Sequence, residues 1–277
     1  MWWVRFGVLL SAASLHAASE RLGSDSVSLD SPRVVGPLQG ACPGALERRV
    51  PPNGEHADWT CNACPEVTGS KHDWWTLDSV IFGHFSAPDS EDAILSTYGC
   101  VMHAFGPIGG SFLVTRRKGD DWQLVHYAMT LLTRECRKTR MSDRRDALVC
   151  ENGDGHQGMG ETWYEMVTAE RGKLDSREIF RLKVSISSCF SPAIEQVADE
   201  FDLWATGKGH YELRVSVRSG ARALSEQDLR RCHSGELEKV PTTRYRLVFR
   251  LDGRSWQPVR RTAAALAKIR SIQPPEF

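Results

Sequence analysis

The chain has no net charge to speak of: 35 Lys and Arg are balanced by 35 Asp and Glu. That excludes a protein that selects its partner by bulk charge, because no strong global field exists. It lacks any apolar run long enough to span a bilayer, which takes about 20 residues. It lacks a nucleophile elbow of the GxSxG kind, a phosphate-cradling Gly loop, and any placeable Ser–His–Asp set. Histidines at metal-ligand spacing are missing as well. Helix signals are few. With 41% apolar and 25% charged residues, the composition is that of a folded globular chain, neither disordered nor coiled-coil.

What is present begins with a leader-like N-terminus. Arg5 is the only charge before Glu20, Phe6 to Leu15 is mostly apolar, and Ala17, Ala18 and Ser19 follow. A positive start, a short apolar core and small residues at its exit are the pattern of a signal peptide, expected over 1–18. Eight Cys lie beyond it: Cys42, Cys61, Cys64, Cys100, Cys136, Cys150, Cys189 and Cys232. An even count after a leader points to disulfides and to a secreted or periplasmic protein. Connectivity is open. Pairing neighbours along the chain joins Cys136 to Cys150 and Cys189 to Cys232. The Cys61-Asn-Ala-Cys64 spacing admits a redox couple, but turn residues and not a buried strand precede it. A structural role is expected instead, either as a Cys61–Cys64 bridge or by bonds to Cys42 and Cys100.

Residues 19–75 read as an irregular, Cys-containing arm, punctuated by Pro32, Pro37, Pro43, Pro51, Pro52 and Pro65. Beyond it the chain reads as all-β and antiparallel. Tyr211, Leu213, Val215 and Val217 alternate with polar residues, as do Phe180 to Ile186 and Tyr245 to Leu251. A period of two gives one core face and one wet face. Ser225 with Asp228 predicts a capped short helix, and the Ala-rich Thr262–Ile272 stretch predicts a C-terminal one before a 263–277 helix and tail region ends at Phe277.

LVTRRKGDDWQLV (Leu113 to Val125) aligns without gaps to LVFRLDGRSWQPV (Leu247 to Val259). Each copy predicts a strand, a Gly-containing turn and a second strand that opens at Trp122 or Trp256. Upstream, an acid opens an apolar run at Asp92, Asp146 and Glu212. Three units follow within a 76–262 repeat domain, at about 76–131, 136–187 and 198–262. Units of this length predict propeller-like β-blades.

The stretch VIFGHFSAPDSEDAILS (Val80 to Ser96) resembles the FG-GAP or VCBS blade opening of integrin-α-like bacterial β-propellers. Gly83, Phe85, Asp92 and the Ala93 to Leu95 run carry the likeness. The resemblance implies a secreted binding or scaffold module. It also implies a calcium loop, but His84, Ser86 and Pro88 occupy positions where oxygen-rich ligands belong. Calcium takes six to eight oxygens, so this degenerate loop should not bind it tightly; calcium stays the one candidate, and no other cofactor is expected. The metal candidates of this region are His84, Asp89, Asp92 and His103.

The Gly-rich segment Glu151 to Glu161 predicts a long loop. His156 with Glu161 and Asp154 would be its acid–base set. Nine Trp are many, and those at repeated positions suit packing better than glycan stacking. The last 37 residues hold eight Arg and Lys against Asp252 and Glu276. Nucleic-acid binding is not expected, since aromatics are not interleaved with those charges. The reading that results is a secreted, disulfide-stabilised β-repeat module that binds an unknown protein or glycan and is not an enzyme. Its rivals are a secreted hydrolase or carbohydrate-active enzyme with an acidic/His cleft, and a thiol redox protein working through Cys61 and Cys64.

Overall fold

A computed structural model describes residues 20–22, 25–49, 58–65, 74–103, 106–117, 121–156, 159–184, 192–207, 209–233 and 240–272. The signal segment, Cys189 and the final five residues lie outside the described residues, and with Cys189 the expected Cys189–Cys232 bridge. Among the described residues the chain is mostly antiparallel β, in three sheets.

Each sheet contains a four-strand meander. The first runs through β4 (Trp75–Gly83), β5 (Asp92–His103), β6 (Gly106–Arg116) and β7 (Trp122–Met129). The second runs through β8 (Glu135–Arg140), β9 (Asp146–His156), β10 (Met159–Glu170) and β11 (Lys173–Val184). The third runs through β12 (Ala193–Gly207), β13 (His210–Arg222), β14 (Thr243–Asp252) and β15 (Ser255–Pro258). The thirteen-residue repeat falls on the β6–β7 and β14–β15 hairpins. Among the described residues no sheet closes on itself.

The three sheets pack face to face with the second in the middle. Ile81, Ile94 and Leu113 of the first meet Leu148, Val167 and Leu174 of the second. On the other side, Ala147, Val149, Tyr164 and Phe180 meet Leu203, Leu213, Val215 and Phe249 of the third. Two buried faces explain why β9 opens with the unbroken apolar run Ala147 to Cys150, all fully buried. The third sheet keeps a wet outer face, and β13 and β14 therefore alternate. There Arg214 and Arg250 pair with Glu212, and Arg218 and Arg244 with Asp199. Arg254 pairs with Asp143 and Glu170. Three of the eight C-terminal cations, Arg244, Arg250 and Arg254, thus pair with acids from elsewhere in the chain. Helix α3 (Arg260–Ser271) buries Leu266 and Ile269 against this core. Helix α2 (Glu226–His233) starts at Ser225, whose hydroxyl accepts from the Asp228 amide at 3.1 Å.

The arm is not irregular, as its proline content suggested. Strand β1 (Glu20–Leu22) joins β12, while β2 (Leu46–Arg49) and β3 (Asp58–Cys61) extend the first sheet. Helix α1 (Val35–Ala41) covers that sheet's outer face with Val34, Leu38 and Ala41 in its core. Three disulfides are present among the described residues: Cys42–Cys61, Cys64–Cys100 and Cys136–Cys150. Cys61 and Cys64 hold different partners, so the redox couple read from their spacing does not form. Two of the bonds instead clamp the arm, and the third joins Cys136 and Cys150 directly across β8 and β9. Bridges of this kind belong to oxidising compartments. No helix among the described residues is long and apolar enough to cross a membrane.

Candidate functional site

The first strand of every meander ends at one place. Phe82 to His84 close β4, Lys138 to Arg140 close β8, and Ala205 stands near the end of β12. The second strands start there too, at Asp92, Asp146 and Tyr211. Between them opens a cleft of about 1020 Å³, walled on the arm side by Asp25, Arg33 and Gly36 and on the β6–β7 side by Arg116 and Trp122. That volume lies at the upper end of small-ligand sites.

The repeated strand-opening acids organise this region. Asp92 is 1% exposed. Its carboxylate accepts from the Ser86 amide at 2.6 Å, the Ser86 hydroxyl at 2.8 Å and the Ser90 hydroxyl at 2.6 Å. Hydroxyl and amide donors thus hold the 84–91 loop in the way a cation holds a calcium loop. Asp146, 4% exposed, joins two sheets: it accepts from the His84 amide at 2.9 Å and from Arg140 Nε at 3.1 Å. In return the Asp146 amide donates to the His84 carbonyl at 2.9 Å. A Cβ on Gly83 would come within 2.9 Å of the Asp146 carboxylate, so glycine permits this approach. The third acid, Glu212, turns to the wet face of the last sheet and leaves Tyr211 in the cleft. Burial opposes ionisation of Glu212, but the hydrogen bonds and charges of Arg214 and Arg250 prevail and hold its carboxyl below the ordinary value.

Aromatic and cationic groups line the rest. Phe82 and Trp122 meet edge to face at 6.0 Å, and the Arg33 guanidinium lies 4.5 Å from the Phe82 ring centre. Lys138 Nζ donates to the Phe82 carbonyl at 2.9 Å. Asp25 accepts from the Lys138 amide at 2.6 Å, and Glu91 pairs with Arg116 at 2.7 Å. The arm straps the cleft's margin: within residues 20–27 it bonds β12, β8 and β4 in turn.

Of the residues singled out in sequence, His84 and Asp92 line the cleft. The ring Nδ1 of His84 meets the Ser90 carbonyl; since a carbonyl only accepts, Nδ1 carries the proton. Asp89 is exposed on the same loop. His103 stands at the opposite end of β5 from Asp92. Among the described residues no three His, Cys, Asp or Glu side chains are grouped to hold a metal. The 151–161 segment is not a loop but the β9–β10 hairpin, where Gly153, Gly155 and Gly160 sit within paired strands. There Asp154 faces Glu161 across the ladder, and Glu161 is paired with Arg181 and, at 3.6 Å, with Lys183. The His156 side chain lies outside the described residues. Neither Asp154 nor Glu161 lines the cleft. Sequence reading missed Asp25, Arg33, Lys138, Arg140 and Tyr211, which share no local spacing; only the repeated acids Asp92 and Asp146 pointed at this end of the sheets.

Comparison of the chain with protein-family models, with curated proteins and with solved structures finds no match.

Proposed function

We propose that this chain is a secreted, disulfide-tied β-repeat binding module whose ligand occupies the cleft at the common end of the three meanders. The observation that carries the reading is the convergence of all three first-strand ends, with aromatic walls, on one cavity of ligand size. The meanders are read as degenerate units of the FG-GAP type, in which Ser86 and Ser90 have replaced a cation at Asp92. Secretion is supported by the leader-like N-terminus and by the three bridges.

The test is a thermal-shift screen of mono- and disaccharides, organic acids and short peptides on the full chain with its disulfides intact. A cleft ligand raises the unfolding temperature by mass action. Ala205→Trp, which puts an indole into the cleft from the end of β12, is expected to abolish that shift while leaving the unliganded unfolding temperature near that of the parent. A hit that ignores Ala205→Trp overturns the cleft as the site, and turnover of a captured compound overturns a pure binding role.

A further inference from the structure

The cleft's donors and acceptors are unequal in what they leave open. Of its carboxylates, Asp92 and Asp146 are buried and already accept two or more hydrogen bonds each. Glu91 is engaged by Arg116 at 2.7 Å, and Asp25 by the Lys138 amide at 2.6 Å. Arg33, Arg140 and Lys138 are less fully engaged. Arg33 has no carboxylate partner among the described residues; its guanidinium carbon lies over the Phe82 ring, 4.5 Å from its centre. No carboxylate there engages its N–H donors, the part of arginine that matches carboxylate and phosphate oxygens in pairs. Arg140 meets Asp146 through Nε, which leaves its two terminal nitrogens. Lys138 stands 4.0 Å from Asp25 and gives one hydrogen bond to the Phe82 carbonyl. Arg33 and Lys138 therefore flank the same residue, Phe82, one at its ring and one at its backbone.

We infer that the cleft takes an organic anion, a carboxylate or phosphate monoester borne on a ring, with the anionic group on the Arg33 edge and the ring against Trp122 and Tyr211. Lys138 and Arg140 supply the flanking positive charge. This rests on the reading of the cleft as a binding site and adds the class of ligand to it. The neighbouring ion pairs matter to selectivity: Asp25 and Glu91 repel a second negative group, so a single anionic centre fits better than a polyanion.

The test is calorimetric titration with four probes: glucuronate, glucose 6-phosphate, neutral glucose, and inorganic phosphate. The first two carry ring and charge together, the third the ring alone, the fourth the charge alone. One of the two sugar acids is expected to bind at least about tenfold more tightly than glucose or phosphate, and which one decides between carboxylate and phosphate. Arg33→Gln, an exposed substitution that removes the cation over Phe82 but buries no new group, is expected to weaken that probe about tenfold or more, the loss of a charge-assisted hydrogen bond. Raising salt should weaken it further. Equal binding of glucose, no binding of either acid, or indifference to Arg33→Gln overturns the inference. Ala205→Trp separates the two levels. A neutral probe lost in Ala205→Trp but unchanged in Arg33→Gln keeps the cleft and sinks the anion, whereas a sugar acid that still binds Ala205→Trp sinks both.

Discussion

Glu151 is a residue whose surroundings oppose its charge. It stands in β9 between Glu135 on one neighbouring strand and Tyr164 on the other. Burial pushes its carboxyl up from the ordinary 4.5 and Glu135 adds to this, against the Tyr164 hydroxyl, which donates at 2.9 Å, and the charge of Arg137. A raised value means the folded chain holds its proton more tightly than the unfolded one. The stability tied to that proton is present below pH 4.5 and is lost as pH rises through the folded value. Glu151→Gln keeps an acceptor for Tyr164 and removes the titration. Urea midpoints at pH 4, 6 and 8 should therefore fall less steeply for the variant than for the parent above pH 4.5; parallel profiles would refute the assignment. Asp143 has the opposite sign. Burial raises it, but hydrogen bonds from Arg145 and the charges of Arg145 and Arg254 win and hold it below 3.8. Its contribution is present above that value and is lost as pH falls through the folded one.

At the scale of elements, the contact of α1 with β7 decides whether the arm closes the cleft. A Cβ on Gly40 would lie 2.6 Å from the Trp122 carbonyl oxygen and 2.7 Å from its carbon, both backbone atoms of a paired strand. In an open helix Gly→Ala gains about 1 kcal/mol from propensity. Here the clash is with atoms that cannot turn aside, and overpacking of this kind costs about 1–3 kcal/mol. Gly40→Ala is thus expected to lower the unfolding temperature and to red-shift tryptophan emission as Trp122 loses its cover. An unchanged or raised unfolding temperature would show that α1 stands off the sheet. Such contacts were not legible in sequence, because Gly36 and Gly40 are glycines among prolines and read as loop. The alternation in β13 and β14 was legible, since one face of the third sheet is wet. The run in β9 carried no period, because both its faces are buried. The Glu151 to Glu161 hairpin looked like a loop through its glycines, which the ladder accepts. At the cleft, Asp92 and Asp146 were readable as strand openers. Arg33, Lys138 and Tyr211 were not, for their meeting is a property of how three sheets stack and not of any spacing along the chain.

For the molecule as a whole, the middle sheet is the common partner of two cores. Leu148 faces the first sheet and Leu182 the third, and both are fully buried. Neither outer sheet covers its inner face without the middle one, so the stack should unfold as a unit although its hydrophobic contacts form separate clusters. Trp75 lies in the first sheet and Trp256 in the third, so tryptophan fluorescence samples both flanks while far-ultraviolet dichroism samples all strands. Leu148→Ala and Leu182→Ala are each expected to cost about 2–5 kcal/mol. Each should shift one transition, coincident by both probes, to lower temperature. If Leu182→Ala instead splits the transition, with the third sheet melting first, the two cores are independent. The cleft would then lose its Tyr211 wall before its Phe82 and Trp122 wall, and binding there would fail at a temperature below that at which the first sheet unfolds.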